Sequence, residues 1–181
     1  MATPQPNADF TGIRKKLYQD ITTLLKTITT GTPAKQVFMH FDIWNRQTDY
    51  LESEFPFKRP AIFIEFLPIQ WQALTRGLRQ ADAVIRLHIV CNTKFRTAEG
   101  SDSADKALLY LGYPDLVWQA MRYFHQSYAG RPENTLSETD HEHTDIIDMV
   151  EEFTIRVMDA TAVRVPATVT NVNPDIEAHF S

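Results

Sequence analysis

The first regular pattern of hydrophobic positions lies near the start of the chain. Apolar side chains recur there at three- and four-residue steps: Phe10, Ile13, Leu17, Ile21, Leu24, Leu25 and Ile28. This spacing predicts an amphipathic helix whose apolar side packs on a core. The segment "TTGTP" predicts its end, with Gly31 as C-cap and Pro33 beyond. Residues 1–9, which contain two prolines and few apolar side chains, are expected to form a flexible arm.

Alternating apolar and polar positions then predict strands. Residues 35–44, "KQVFMHFDIW", form the first predicted strand, and a polar connection follows it. Residues 61–67 and 81–91 predict the two arms of a long β-hairpin. In the second arm one face carries only small or apolar residues: Ala83, Ile85, Leu87, Ile89 and Cys91. The opposite face is mixed: Val84, Arg86, His88 and Val90. A half-polar face predicts an antiparallel sheet with one side open to solvent or to a partner.

The connection between the two arms is unusually apolar for a turn. It contains Trp71, Leu74 and Leu78 beside Arg76 and Arg79. Grouped apolar side chains at a surface commonly mark an interface, although they can also fold back onto the core. The subunit-interface candidates are therefore Trp71, Leu74, Arg76 and Arg79.

The second half of the chain predicts one more helix and a closing strand. The helix is expected to run to about Tyr128, with a break near Gly112 and Pro114. Its apolar face is Val117, Ala120, Met121, Phe124 and Tyr128. The alternating segment 151–160, "EEFTIRVMDA", predicts the last strand of the sheet. Residues 164–181 lack amphipathic periodicity and are expected to form either an extended arm on a neighbouring subunit or a frayed tail.

These elements define an α+β fold class. We expect a mainly antiparallel sheet with two main helices packed on one face, a long β-hairpin and an extended C-terminal arm. A chain of 181 residues with 43% hydrophobic and 23% charged residues fits one soluble domain, here residues 10–163. The single cysteine, Cys91, excludes an internal disulfide and is expected to be a buried small residue. We expect neither a signal peptide nor a membrane span.

Negative charge is concentrated in one stretch. The net charge is −5, and residues 133–152 hold eight of the 23 acidic residues but no Lys or Arg. Such a surface repels nucleic acid, which argues against a DNA-binding module. The alternative is an acidic hairpin whose side chains are simply solvated.

Two histidine arrangements in the sequence are candidates for chemistry. In the segment "DHEHTD", His141 and His143 would share one face of a strand and could supply two metal ligands, but a third and fourth ligand are not evident. A His–Asp pair could act as a general base, and His40, Asp42 and His88 are the candidates for it. An enzyme would need a concave pocket that joins these three side chains. The glycine spacing matches no phosphate-binding loop, and no serine or cysteine has a nucleophile context. We therefore expect no enzyme and no cofactor, and keep a small-molecule or metal-binding module as the alternative.

The order of elements resembles a known family. A first helix "IRKKLYQDITTLLKTI", a strand "RPAIFIEF", a strand "ADAVIRLHIVCNT" and a following helix are similar to the tail terminator and tail-completion proteins of long-tailed bacteriophages. The resemblance covers roughly residues 10–160 and rests on element order and patterning. The connection at 42–59 and the arm after residue 163 are not explained by it.

The resemblance implies a structural protein of the virion, assembled in the host bacterial cytoplasm. Such proteins form homo-oligomeric rings, usually hexamers, which join the tail tube to head-completion or portal-adjacent proteins. The connection between the two hairpin arms, residues 68–80, which we call the ribbon connection, would then contact another subunit. An acidic lumen that lets DNA pass without specific binding would be lined by Glu138, Asp140, Glu142 and Asp145.

Overall fold

The computed structural model describes residues 12–50, 57–92, 108–140 and 146–163. The predicted arms at both ends lie outside these residues, as do Phe10, His141, Glu142, His143 and Asp145. The described helices are α1 (Ile13–Leu25) and α2 (Tyr113–Met121), with short 3-10 turns at Gln47–Tyr50 and Leu109–Gly112. The strands are β1 (Thr29–Thr30), β2 (Lys35–Gln36), β3 (His40–Ile43), β4 (Ala61–Phe66), β5 (Gln72–Ala73), β6 (Arg79–Asn92), β7 (Glu133–Asp140) and β8 (Ile146–Asp159).

Strands β3 to β8 form one six-stranded sheet. Its order is β3-β4-β6-β8-β7, with β5 paired to the start of β6. Only β3 and β4 are parallel, and the remaining pairs are antiparallel. The long hairpin between β4 and β6 is therefore confirmed. Strand β8 is the last described strand in the sequence, but it lies between β6 and β7 rather than at an edge.

Both helices pack against the same face of the sheet. The main core joins Ile13, Leu17, Ile21 and Leu25 of α1, and Val117 and Met121 of α2, to alternate residues of the sheet. On β6 those residues are Ala81, Ala83, Ile85, Leu87, Ile89 and Cys91. The α+β fold with helices on one face, and the division of β6 into two faces, are confirmed. Cys91 is buried as expected, and burial raises the pKa of its thiol to about 12.

The first helix ends earlier than predicted. It stops at Leu25 with Lys26 as C-cap, so the assignment of Gly31 as C-cap was wrong. Gly31, at φ 77°, instead lies in the turn between β1 and β2. The physical reason is a small two-stranded sheet in which Thr29 pairs with Gln36 and Thr30 with Lys35.

The predicted strand at 35–44 is two strands. Residues 37–39 interrupt it, and Val37 and Phe38 are both buried whereas Met39 is 53% exposed. The backbone changes partner at this point: the Val37 amide donates to the Ile28 carbonyl, and the Met39 amide donates to the Pro60 carbonyl. The alternation seen in the sequence therefore does not continue through the segment.

The second helix also ends early, at Met121 rather than near Tyr128. The chain then turns back to the sheet, where Ala129 bridges to Val157 and the Met158 amide donates to the Tyr128 carbonyl. The Tyr128 hydroxyl donates to Asp20 Oδ2 at 2.7 Å, which ties this turn to α1. Burial, together with this bond, raises the pKa of Tyr128. The predicted break holds, because the 3-10 turn gives way to α2 at Tyr113.

Candidate functional site: the polar face of the sheet

The face of the sheet opposite the helices carries a row of charged side chains. Because side chains alternate along a strand, every second residue of β4, β6 and β8 projects from this face. We call it the polar face; its charged residues are Glu65 on β4, Asp82, Arg86 and His88 on β6, and Asp148, Glu152 and Arg156 on β8. Cross-strand pairing places them beside one another.

Arg86 lies between two carboxylates. Its register partners are Glu65 on β4 and Glu152 on β8. The Nε atom donates to Glu152 Oε2 at 2.9 Å, and Nη1 lies 3.9 Å from Glu65 Oε2. All three side chains are partly buried, so the arginine cross-links three adjacent strands at the middle of the sheet.

His88 forms the buried part of the same network. Its Nδ1 atom lies 2.9 Å from Asp148 Oδ2, and its Nε2 atom lies 3.3 Å from Glu65 Oε2. His88 is 7% exposed and Asp148 is 4% exposed. Among the described residues, no group donates to Asp148 Oδ1, which is also buried. Burying a carboxylate costs free energy unless hydrogen-bond partners replace its lost water. The contact with His88 therefore lowers the cost of burying Asp148.

An aromatic cap covers His88. The Trp44 indole lies parallel to the imidazole, with centroids 3.7 Å apart and an interplanar angle of 3°. Phe57 and Phe63 pack edge to face at 4.8 Å beside it. Trp44 and Phe57 cover a second small core of Ala61, Phe63, Val90 and Ile146. The polar face is therefore closed at this end.

The opposite end of the polar face is open to solvent. Arg156 donates from Nε and Nη2 to the two carboxylate oxygens of Asp82, at 2.9 and 3.1 Å. That contact lowers the pKa of the Asp82 carboxyl. The pair borders a depression with polar walls formed by Gln70, Gln72 and Gln80. Both side chains remain mostly exposed, which is typical of a surface ion pair.

The suggested general-base arrangement is divided by a strand. His40 and Asp42 are on β3 and His88 is on β6, but β4 lies between these strands, so they are not neighbours. In the register, Phe63 stands between Asp42 and His88. His40 instead packs on Phe57 and Phe63. The three residues do share one face of the sheet. However, the Phe63 side chain fills the position between Asp42 and His88 where general-base chemistry would need a pocket.

The ribbon connection is partly used inside the subunit. Arg79 donates from Nε and Nη2 to Asp159 Oδ2, at 2.8 and 2.6 Å, and its guanidinium lies 4.1 Å above the centre of the Trp71 ring. Trp71 packs against the main core. Burial by itself raises the pKa of Asp159, but the hydrogen bonds from Thr161 and Arg79 outweigh it and hold that pKa below its ordinary value.

The tip of the connection is exposed. The side chains of Leu74 and Arg76 are exposed, Leu74 at 43%. The backbone of Arg76 is in the left-handed region, with φ 55°. Gly77 has a φ of 84° and packs against the backbone of Ala162, so an added Cβ would lie 2.2 Å from the Ala162 carbonyl oxygen. Residue 77 must therefore be glycine for the tip to pack on residues 160–163.

The acidic stretch splits between the surface and the interior. Glu138 and Asp140 lie on β7, on the side of the polar face, and Glu138 is exposed. Asp148 and Glu151 are buried, so the prediction of a wholly surface acidic cluster was wrong. Glu151 faces the helix side, where Asn134 Nδ2 donates to it at 2.7 Å and Ser137 Oγ also donates. Hydrogen-bond partners on neighbouring strands, namely His88 for Asp148 and Asn134 with Ser137 for Glu151, are the physical reason that these acids can be buried.

Sequence reasoning missed the His88, Asp148 and Glu65 network and its Trp44 cap. The available signal was charge within an apolar strand: Asp148 stands inside "DIIDMV", and such a residue is expected to have a partner. The identity of that partner depends on strand register, which the pattern does not give. In the described part of the chain no group of three or more His, Cys, Asp or Glu side chains is arranged to hold a metal.

Comparison with protein-family models gave no match, and comparison with curated proteins gave none either. Among the described residues, no helix has the length and apolar character required to cross a membrane.

Proposed function

We propose that this chain is a structural subunit of a bacteriophage head–tail junction, which assembles with copies of itself into a ring that terminates or joins the tail tube. The observation that carries the proposal is the one-sided sheet. Helices cover one face of the sheet and leave the other face uncovered by helices in the described part of the chain. Within the same residues, the sheet ends at β7, an eight-residue strand that pairs only with β8 and whose side chains from Glu133 to Thr139 are all exposed. A subunit of this shape leaves an edge and a tip for neighbouring copies.

The polar face supports a structural role over a catalytic one. Its charged groups are paired with one another: Arg86 with Glu152, His88 with Asp148, and Arg156 with Asp82. Reactive groups are usually open to a cleft. Here the histidine is buried under Trp44, so the network is suited to fixing strand positions in a rigid building block.

Acidic side chains of β7 support passage of DNA through the ring. Glu138 and Asp140 project on the side of the polar face, and like charge keeps a DNA backbone from binding to a wall. Glu142 and Asp145, which were predicted to line the lumen with them, lie outside the described residues.

Size-exclusion chromatography with light scattering tests the proposal. We expect the mass of an oligomer, several times the 20.8 kDa of one chain, and attachment of this species to the ends of purified tail tubes. A 20.8 kDa species at high concentration that does not attach to tubes would contradict the proposal.

Substitution at the ribbon tip examines the predicted interface. Arg76→Glu reverses an exposed charge at the tip, so we expect it to weaken assembly while the circular dichroism spectrum and unfolding midpoint stay unchanged. Arg76 is a cleaner probe than Trp71 or Arg79, which contact each other within the subunit. Assembly indistinguishable from that of the unmodified protein would remove the tip from the interface.

A further inference from the structure

The outer side of β7 is an open sheet edge. Strand β7 pairs with β8 on one side, and within the described residues no strand pairs with its other side. Backbone amides and carbonyls along such an edge are available to a docking partner. An open edge of eight residues is long enough to form a specific contact.

The charge of β7 argues against pairing with its own copy. The strand carries Glu133, Glu138 and Asp140 and no Lys or Arg. Two β7 strands paired with each other would bring six carboxylates, and no Lys or Arg, together along one seam. Like charges directly opposite one another destabilise a strand pair. A basic partner surface is therefore favoured over a two-fold dimer through this edge.

The chain offers such a surface on the first turn of α1. Arg14, Lys15 and Lys16 are consecutive, and Arg14 and Lys15 are exposed. Lys16 lies 5.7 Å from the centre of the Tyr128 ring, and none of the ion pairs among the described residues uses any of the three.

Among the described residues, this positive charge is not compensated within the first turn of α1. The first turn of α1 contains no acidic residue, and no side chain caps it. Cations at the positive end of a helix are unfavourable by themselves. Carboxylates supplied from outside the subunit would relieve that repulsion.

We infer that the acidic edge of β7 in one copy docks against the basic first turn of α1, residues 14–16, in the next copy. Long Arg and Lys side chains can pair with Glu133 and donate to carbonyl groups along the open edge, while Glu138 adds to the negative potential that attracts them and keeps its place on the lumen side. Because the two surfaces differ, the contact is head-to-tail, and it closes into a ring when the rotation between copies permits. The inference rests on the proposed function and specifies its interface.

Reciprocal charge reversal tests the contact. One variant, Glu133→Lys with Glu138→Lys, makes the edge basic; a second, Arg14→Glu with Lys15→Glu, makes the α1 turn acidic. Each alone brings like charges together, so we expect light scattering to give the 20.8 kDa subunit in place of the oligomer. Mixing the two variants restores opposite charges at every contact of an alternating ring, and we expect the oligomer to return.

A matched control keeps the change in charge and moves its position. Lys35→Glu with Lys58→Glu alters two exposed cations away from β7 and from the first turn of α1. We expect this variant to assemble like the unmodified protein. Circular dichroism and denaturant unfolding of each variant confirm that the subunit is folded before its mass is interpreted.

The outcomes separate this inference from the proposed function. If the unmodified protein forms no oligomer, the proposed function fails. If it assembles, but either reversed variant also assembles alone, mixing restores nothing, or the control dissociates equally, the docking contact is overturned and the proposed function stands. Loss of duplex DNA binding by the α1 variant with unchanged assembly would also overturn the contact, because residues 14–16 would then serve nucleic acid.

Discussion

The two faces of the central strands β6 and β8 differ sharply in composition although they are formed by alternating residues of the same two strands. On the helix side, Ile85, Leu87, Phe153 and Ile155 are fully or almost fully buried in one apolar core. On the polar face, the alternate positions hold ion pairs whose exposure increases from His88 toward Arg156. The comparison indicates that stability comes mainly from one face, while the other fixes strand register and remains available for contacts.

Truncation within the apolar face should have the largest effect. Phe153 is 1% exposed and packs in the main core, so Phe153→Ala leaves a cavity. We expect the free energy of unfolding to fall by about 3–5 kcal/mol. Denaturant unfolding followed by circular dichroism measures it. If Phe153→Ala lowered the free energy of unfolding by less than His88→Leu does, the helix side would not be the main source of stability.

Removing the buried histidine should have the next largest effect. His88→Leu leaves Asp148 buried without the ring that contacts it at 2.9 Å, and we expect a loss of about 2–3 kcal/mol. Adding Asp148→Leu removes the unpaired carboxylate, so the double variant should be more stable than His88→Leu alone. Equal stability of the single and double variants would show that the pair is not coupled.

The ion pair beneath the ribbon tip should make stability depend on pH. The Asp159 pKa is lowered in the folded protein, so its contribution is present above the unfolded value of about 3.9 and is lost as pH falls through the folded value. Arg79→Ala should cost about 1–2 kcal/mol at neutral pH and reduce this acid dependence. Unfolding midpoints measured between about pH 2 and pH 6 compare the two proteins. Parallel pH profiles would contradict a role for Arg79 in lowering the Asp159 pKa.

The exposed end of the polar face should contribute least. Arg156→Ala removes a pair with Asp82 in which both side chains are solvated, at 69% and 51% exposure. We expect no measurable shift of the unfolding midpoint in 0.15 M salt, because such pairs are screened. A shift comparable to that of His88→Leu would mean that the outer polar face is as important to stability as its buried end.

The same contrast explains what could be predicted from the sequence. Strict alternation on β6 and β8 and the helical spacing of α1 identified the fold and the apolar face, because burial imposes these periods directly. The prediction of one continuous strand through residues 37–39 was wrong, because the backbone there hydrogen-bonds to Ile28 and Pro60, partners that no local pattern reveals. The network of His88, Asp148 and Glu65 required the register of three strands, which sequence alone does not fix.

The interface candidates show a similar division. Trp71 was singled out as an apolar residue in a turn, but its contact with Arg79, and that of Arg79 with Asp159, depend on residues far along the chain. Leu74 and Arg76 are exposed as an interface requires, and the interface itself stays a prediction.

The alternative of an acidic hairpin is met in part, because β7 and β8 pair antiparallel within the acidic stretch, although Asp148 and Glu151 are buried rather than solvated. The position of β7 at the edge of the described sheet was not foreseen, because local patterns do not give the order of strands.

Electron microscopy of the purified protein tests the central claim most directly, namely that the open edge and tip of a one-sided sheet serve assembly of identical copies. We predict class averages of closed rings with one rotational symmetry, in which all subunits point the same way around the axis. Monomers alone at the highest attainable concentration, or two-fold dimers joined through β7, would contradict the account.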